Sequence, residues 1–335
     1  MFAGTRRALI IRIISYILIF LVGWGTALLV RQATDRQVTS SREYRSRGVL
    51  TSPLLECDSD SLQARVLFGN FWQNIQPAID KWQTTPGITD VAVYFRDMTN
   101  GPWFGDNEGM PFSPASLLKV PIMMSYLHWA EDDPSLLREK LEFLTGTAQY
   151  PQNVPPAEDL KPHEKYTADE LIARMIEDSD NAAAATLVNH LGQDRLNATF
   201  EALGVSVPNP GQTEDFMSVK DYASFFRILY NASYLDEEMS ERALEYLTRS
   251  TYTDGLVAGV PVGTVVAHKF GERALEGGAA TSQLHDCGIV YYPKRPYLIC
   301  VMTRGSDRDN MTSAIREISA AVYAGVKERV TASSE

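Results

Sequence analysis

Cysteine is scarce in this 335-residue chain, which contains only Cys57, Cys287 and Cys300. Three cysteines cannot build a disulfide framework, and the chain has no Cys-x-x-Cys or Cys/His cluster of the kind that holds a structural metal. Positive charge is also in deficit, because 31 Lys and Arg face 42 Asp and Glu, for a formal net charge of −11. So acidic a chain is not expected to bind nucleic acid, which needs clustered Lys and Arg. We expect neither a metal ion nor a cofactor.

Two of the cysteines flank a turn. Cys287 and Cys300 lie on either side of Pro293-Lys294-Arg295-Pro296, which would bring them near each other on a hairpin. Whether any pair is oxidised depends on the separation of the Cα atoms, which the sequence does not provide. The disulfide state of the three cysteines therefore stays open at this stage.

An uncharged apolar stretch occupies residues 13–30. Its length suits a helix that crosses a bilayer, and it exceeds the apolar core of a cleaved signal peptide. Arg6, Arg7 and Arg12 precede it, and the positive-inside rule then places the N-terminus in the cytoplasm. We expect residues 1–31 to be a single-pass transmembrane signal-anchor, with the rest outside a bacterial cytoplasmic membrane.

The remainder of the chain divides by composition into three parts. Residues 32–53 are polar and predict a stalk, residues 54–328 predict the folded domain, and residues 329–335 form a tail. Within the domain the expected order is a helix, two strands, a long helical insertion over about 113–250, three strands and a closing helix. This order predicts an α+β fold, in which terminal helices cover an antiparallel five-stranded sheet and a helical lobe lies to one side.

Local signals support several of these elements. Thr167, with Glu170 three residues on, has the pattern of a helix capping box. Asn100-Gly101 predicts a hairpin turn. The predicted helices span 59–82, 222–230, 237–247 and 310–326, and the predicted strands span 90–95, 263–270, 283–291 and 297–303.

One motif predicts a nucleophile. Ser113 is a good N-cap and Pro114 a good first helical residue, so Ser116 should lie in a first helical turn with Lys119 three residues on. The helix dipole and burial both disfavour the Lys119 ammonium, which would leave its amine able to accept the Ser116 proton. A surface Ser/Lys pair is the alternative interpretation of this spacing alone.

A second motif, Ser179-Asp180-Asn181, follows a predicted helix. Ser179 could pass a proton to a leaving nitrogen, and the Asn181 amide could bind a substrate carbonyl. All three residue types also favour helix caps, so capping is the alternative.

A third motif, His268-Lys269-Phe270-Gly271, ends a predicted strand. Lys269 would supply positive charge, Gly271 would let the substrate lie close to the strand, and the backbone N–H groups of Ser116 and Glu272 could form an oxyanion hole. An ordinary solvated lysine at a strand end is the alternative for Lys269. His268 is expected to be a packing residue.

The three motifs together resemble those of the class A β-lactamase and penicillin-binding superfamily. The resemblance extends over about 54–326 and includes the segments 112–120, 166–171 and 179–192 around the motifs. It implies a two-lobe fold with Ser116 as the acylated nucleophile and Lys119 as its base. Ser179 would be the proton shuttle, Asn181 a substrate ligand and Lys269 an electrostatic anchor.

One departure from the family concerns deacylation. Class A β-lactamases have a Glu-x-x-Leu-Asn loop whose glutamate positions the deacylating water, and residues 192–221 contain no such motif. Glu214 is the nearest candidate for that base. Without a base in a fixed position, removal of the acyl group from Ser116 should be slow.

A second departure concerns substrate binding. Phe270 replaces a hydroxyl residue that helps the family bind a substrate carboxylate, and Glu272 replaces a small neutral residue. The charge of Glu272 would oppose an anionic ligand, unless Arg273 compensates by pairing with that ligand or with Glu272. We expect a substrate preference different from that of enzymes that act on typical penicillins.

The leading hypothesis is a serine acyl-enzyme hydrolase of class A β-lactamase type. It would act on β-lactams or similar D-alanyl amides outside the membrane, on a small-molecule or peptidoglycan-derived substrate. The alternative is a β-lactam-sensitive D,D-peptidase or transferase of the cell wall, and a second alternative is an inactive binding module. The oligomeric state is open.

Overall fold

The computed structural model describes residues 48–52, 69–99, 103–144, 154–156, 158–205, 214–273 and 282–332. The proposed anchor, the predicted turn Asn100-Gly101, Cys57 and the first part of the predicted helix 59–82 lie outside these residues. Among the helices that are described, none is long and apolar enough to cross a membrane.

A five-stranded antiparallel sheet forms the centre of the described domain, in the order β2-β1-β9-β8-β7. The first two strands of the domain thus pair with its last three, as the sequence predicts. Strand β7 lies at one edge of the sheet. The strands of this sheet are β1 Ile88–Asp97, β2 Trp103–Asp106, β7 Val266–Arg273, β8 Ser282–Val290 and β9 Tyr297–Gly305.

Eight helices are present in the described part of the chain, with four short strands in two further pairs, β3–β6 and β4–β5. The short strands are β3 Pro111–Phe112, β4 Lys140–Glu142, β5 Lys165–Thr167 and β6 Met217–Ser218. The helices are α1 Gly69–Gln83, α2 Lys119–Asp132, α3 Ala168–Glu177, α4 Asn181–Leu191, α5 Gln193–Ala202, α6 Val219–Tyr230, α7 Glu237–Thr248 and α8 Arg308–Ala332.

The first and last helices cover one face of the sheet. Apolar residues of α1 recur every three or four positions, as in Phe71, Ile75 and Ile79, and they pack with Ile315 and Ile318 of α8. Alternate residues of the sheet strands complete this cluster. Each fully buried side chain of this size contributes roughly 1.5–3 kcal/mol to the folded state.

The opposite face of the sheet packs against the helical lobe, α2 to α7. Tyr94 of β1, Cys287 of β8 and Met302 of β9 share a second apolar cluster with buried residues of these helices. The helices and strands around both clusters match the expected α+β architecture, which is confirmed. Because both faces of β8 and β9 are covered, these strands are buried along almost their whole length.

Predicted boundaries differ from the observed ones by a few residues. Strand β7 runs three residues beyond the predicted end at Phe270, because Gly271, Glu272 and Arg273 continue the antiparallel pairing with β8. Helix α8 continues past the predicted end at residue 326, into the predicted tail. The predicted capping box is present: Thr167 accepts a hydrogen bond from the Glu170 backbone, and the Glu170 side chain accepts one from Thr167.

A disulfide joins Cys287 of β8 to Cys300 of β9. The two residues are direct partners across these antiparallel strands, with Cα atoms 4.0 Å apart. On its other side Cys287 is the partner of Lys269 on β7. The disulfide therefore cross-links the sheet next to a predicted site residue.

Residues 48–52, which the sequence assigns to the stalk, lie against the helical lobe. The carboxylate of Glu241 on α7 accepts hydrogen bonds from three successive backbone N–H groups, those of Val49, Leu50 and Thr51, at 2.7–2.9 Å. The Ser52 N–H donates to the Tyr230 carbonyl at 2.6 Å. This segment is thus attached to α6 and α7 through its backbone.

Candidate active site

The predicted nucleophile lies on a tight turn between β3 and α2. A 3₁₀ turn, Ala115–Leu118, precedes α2, so the α-helix begins at Lys119 and not at Pro114 as expected. The turn is tight because Ala115 has a φ of 48°, in the left-handed region that residues with a side chain seldom adopt. Leu117 is fully buried and anchors the turn, whereas Ser116 is half-buried.

Lys119 brings the first two motifs together. Its Nζ atom lies 3.2 Å from Ser116 Oγ and 3.1 Å from Ser179 Oγ. The same ammonium group donates to Asn181 Oδ1 at 2.6 Å and to the backbone carbonyl of Ser179. One amine is therefore within hydrogen-bonding distance of both hydroxyls that the sequence assigns to proton transfer.

Burial controls the charge of Lys119. The side chain is 5% exposed, and desolvation lowers its pKa from 10.5 to about 7, although the carboxylate of Asp180 acts in the opposite direction. An unshifted lysine would be almost entirely charged at pH 7. Lys119 is thus close to half neutral at that pH and can accept a proton from Ser116.

The Ser-Asp-Asn motif lies between α3 and α4, and its aspartate takes the capping role. Asp180 caps α4 by accepting hydrogen bonds from the backbone of Ala182 and Ala183. Ser179 has a φ of 57°, which turns the chain sharply between the two helices. Capping by Asp180 leaves the side chains of Ser179 and Asn181 directed at Lys119.

Lys269 lies in the interior, not at a solvated strand end. Its side chain is fully buried on β7, and Nζ donates to the Phe270 carbonyl at 3.0 Å. Desolvation and the nearby Lys119 lower the pKa of Lys269 well below 10.5, whereas Asp286 and Asp178 raise it. The positive charge that the sequence expects from Lys269 is therefore disfavoured by its surroundings.

The residues on either side of Lys269 pack against the α8 side of β7. His268 is buried, as expected for a packing residue, and its Nδ1 lies 2.8 Å from Asp286 Oδ1. The Phe270 ring is buried and stacks on Tyr252 with centroids 4.4 Å apart. Phe270 thus fills this position as a core side chain.

Gly271 lets β7 approach the nucleophile turn. A Cβ atom at this position would lie 2.8 Å from Leu117 Cγ and 3.0 Å from the Pro114 carbonyl oxygen. The close approach places the backbone next to Gly271, including Glu272, beside the turn that carries Ser116. An oxyanion hole formed by the N–H groups of Ser116 and Glu272 stays a prediction.

The charged side chains beyond Gly271 pair differently from the expectation. The Glu272 carboxylate accepts hydrogen bonds from Arg308 at 2.8 and 3.4 Å, so Glu272, one of the two partners considered for Arg273, is held by a different arginine. Arg273 instead forms an ion pair with Glu214 and donates to Ser113 Oγ at 3.2 Å. Glu214, the candidate deacylation base, has a side chain that is 62% exposed.

A buried polar network holds Ser113, the first residue of the nucleophile segment. The sequence did not predict this network. The Ser113 N–H donates to Gln283 Oε1 at 2.9 Å, and Gln283 Nε2 donates to Asp215 Oδ1 at 2.8 Å. Asp215 in turn accepts from Arg304 of β9 at 2.8 Å. No local motif marks these residues, because they are separated by 68 to 170 positions along the chain.

His285 also contacts this segment through its imidazole ring. Its Nε2 lies 3.0 Å from the Ser113 carbonyl oxygen, and its Nδ1 accepts from the Thr303 N–H at 3.3 Å. Burial lowers the pKa of His285 to about 4, so it is neutral near pH 7, with the proton on Nε2. Within the described part of the chain, no group of His, Cys, Asp and Glu side chains could hold a metal ion.

Comparison with known proteins assigns the family. The profile of the β-lactamase enzyme family matches residues 70–326. The chain belongs to this family. A β-lactamase of Bacillus licheniformis is 27% identical over 158 residues, which cover 43% of this chain and half the length of that relative. The resemblance inferred from the motifs is thus confirmed, and the prediction of a serine hydrolase is confirmed at the level of the family.

Solved structures share the fold. PBP-A superposes with a TM-score of 0.65 at 23% identity, over 76% of this chain and 96% of that one. A class A β-lactamase from Mycobacterium abscessus superposes with a TM-score of 0.64 at 20% identity, over 76% and 99% of the two chains. A PBP-A mutant described as an acyl-enzyme complex with penicillin G has a TM-score of 0.64 at 24% identity, over 78% and 97%.

Proposed function

We propose that this member of the β-lactamase family is a serine acyl-transfer hydrolase that forms an acyl-enzyme at Ser116. The observation that carries the proposal is the contact of Lys119 Nζ with both Ser116 Oγ and Ser179 Oγ. Neutral Lys119 takes the proton of Ser116 while Oγ attacks the substrate carbonyl carbon. As the C–N bond breaks, that proton passes through Ser179 to the leaving nitrogen.

The substrates proposed are β-lactams or similar D-alanyl amides. Family membership supports an acyl donor of this kind, and the contact of Asn181 with Lys119 supports a role for the Asn181 amide in binding the donor carbonyl. The backbone N–H groups of Ser116 and Glu272 would stabilise the oxyanion that forms during attack. The acyl group remains on Ser116 until water or another acceptor removes it.

Removal of the acyl group is the slow step in this proposal. Glu214 is exposed and forms an ion pair with Arg273, which ties its carboxylate to another side chain. A deacylating base needs a fixed position relative to its water. This pairing favours the second candidate function, a β-lactam-sensitive D,D-peptidase or transferase, over a fast β-lactamase.

Labelling with a fluorescent penicillin, followed by intact-protein mass measurement, separates these candidates. The proposal expects one adduct on Ser116 that persists for many minutes and is absent in Ser116→Ala. A label that forms and disappears quickly supports β-lactamase activity. If neither the penicillin nor a neutral thioester acylates the wild-type chain, the acyl-transfer proposal fails and a binding module is the remaining candidate.

We also propose that residues 1–31 anchor the enzyme in a bacterial cytoplasmic membrane, with the catalytic domain outside it. The uncharged stretch 13–30, with Arg6, Arg7 and Arg12 before it, supports this orientation. The disulfide Cys287–Cys300 is compatible with an oxidising compartment. Protease added to intact spheroplasts should digest the domain, and protection of the domain would contradict the orientation.

A further inference from the structure

Acyl donors for a serine acyl-transfer enzyme differ in the charge that the leaving group carries. Penicillins and D-alanyl-D-alanine both carry a carboxylate close to the nitrogen that leaves. A site that prefers such donors needs a cation beside the leaving group that is not already neutralised by a protein carboxylate. The ion pairs of the described residues therefore bear on which donors the site accepts.

One ion pair at the end of β7 joins Glu272 to Arg308. Glu272 directly follows Gly271, where an added Cβ atom would lie 2.8 Å from Leu117 Cγ and 3.0 Å from the Pro114 carbonyl oxygen of the nucleophile segment. Its side chain is only 11% exposed and takes two hydrogen bonds from the Arg308 guanidinium, at 2.8 and 3.4 Å. The positive charge at the start of α8 is thus balanced by a carboxylate at the strand end.

Two other arginines also have carboxylate partners. Arg273 pairs with Glu214, and Arg304 pairs with Asp90 and Asp215. Lys269 is buried beneath the strand, where its Nζ donates to the Phe270 carbonyl.

We propose that the site selects acyl donors whose leaving group carries no carboxylate near the scissile bond, because Glu272 neutralises Arg308. This inference rests on the proposed acylation of Ser116. The natural donor class is then an internal D-alanyl amide of an amine without a carboxylate, or a comparable neutral ester. Donors with a free terminal carboxylate meet an arginine whose charge Glu272 already balances.

The test compares two donors that differ only in that charge, benzylpenicillin and its methyl ester. The second-order rate constant for acylation of Ser116 is measured for each by intact-protein mass. Glu272→Gln retains the backbone N–H and the side-chain shape but leaves Arg308 uncompensated. We expect the carboxylate-to-ester rate ratio to rise about tenfold in this variant, as for one charge interaction gained near the site.

Two further variants test whether Arg308 causes the change in the carboxylate-to-ester rate ratio. In the double variant Glu272→Gln, Arg308→Gln the ratio should fall back most of the way to the wild-type value, because the cation is gone. Glu317→Gln is the matched control: it changes the net charge equally, but its partners are Lys81 and Trp82 on α1. Its ratio should equal that of the wild type.

The ratio makes the outcome independent of the intrinsic reactivity of the two donors. An unchanged ratio in Glu272→Gln would overturn the inference while leaving Ser116 acylation intact. A rise that persists in the double variant would assign the effect to Glu272 alone and overturn the role of Arg308. Failure of both donors to acylate the wild type would instead count against the proposed function itself.

Discussion

Replacing Lys119 by arginine and varying the pH both change the fraction of enzyme in which residue 119 can accept a proton. Burial lowers the pKa of Lys119 from 10.5 to about 7, a difference that corresponds to about 5 kcal/mol against the charged form. With this pKa, the amine is neutral in about one tenth of molecules at pH 6, half at pH 7 and nine tenths at pH 8. An unshifted lysine would be neutral in only about 0.03% of molecules at pH 7.

The assay is the rate constant for Ser116 acylation by a fluorescent penicillin, measured from pH 5.5 to 8.5 at constant ionic strength. We expect a rise of about tenfold between pH 6 and pH 8, with a midpoint near 7. Lys119→Arg keeps a cation but cannot lose its proton, and it should reduce the rate roughly 10²–10⁴-fold. A flat pH profile, or substantial activity in Lys119→Arg, would refute the assignment of Lys119 as the base.

The same shift makes a prediction about stability. Below about pH 7 Lys119 is protonated in the folded and unfolded chains, and between 7 and 10.5 only the unfolded chain retains that proton. The free energy of unfolding should therefore rise with pH across this window, by up to about 5 kcal/mol from this residue. Lys119→Met should lack that contribution, which urea unfolding of both proteins at pH 7 and pH 10 would reveal. Equal pH dependence in the two would contradict the burial argument.

Three other changes probe the surroundings of the site. Gly271→Ala would place a Cβ atom 2.8 Å from Leu117 Cγ, so the rate of Ser116 acylation should fall at least about tenfold while the circular dichroism spectrum stays unchanged. Full activity in this variant would show that the strand can shift freely. Burial holds the pKa of His285 at about 4, so between pH 6.5 and 4 only the unfolded chain binds a proton at this residue. The free energy of unfolding should therefore fall by about 3 kcal/mol as the pH falls across this window. His285→Gln should remove this dependence in acid titrations. Glu241→Ala should cost about 1–3 kcal/mol in urea unfolding by leaving three backbone N–H groups without their acceptor, whereas the exposed Glu245→Ala on the same helix should cost little.

Much of the fold could be predicted from patterns that extend over only a few residues. Thr167 and Glu170 are three residues apart, and a capping box depends only on residues at that spacing. The continuous apolar run at the start of β9 likewise marks a strand that is buried on both faces. These signals act over a few residues, which is why the order of elements and the sheet pairing could be derived from the sequence.

The state of the charged groups could not be derived in the same way. Arg308 and Glu272 are 36 positions apart, and nothing near either residue indicates that they meet. The sequence predicted Lys269 as a source of positive charge, but the fold buries it beside Lys119 and lowers its pKa. Charge in a site depends on burial and on partners from distant elements, so it emerges only when the tertiary contacts are known.

The same distinction separates the two halves of the proposed reaction. Acylation uses Ser116, Lys119 and Ser179, which short motifs identify and which a single amine connects. Deacylation needs a base held against a water molecule, and the one candidate, Glu214, is instead held by Arg273. Releasing Glu214 by Arg273→Gln would not by itself create such a base, because the side chain is largely exposed and would lose the contact that orients it. The pairing of Glu214 therefore favours a persistent acyl-enzyme, whose natural acceptor would determine whether the chain hydrolyses its substrate or transfers the acyl group.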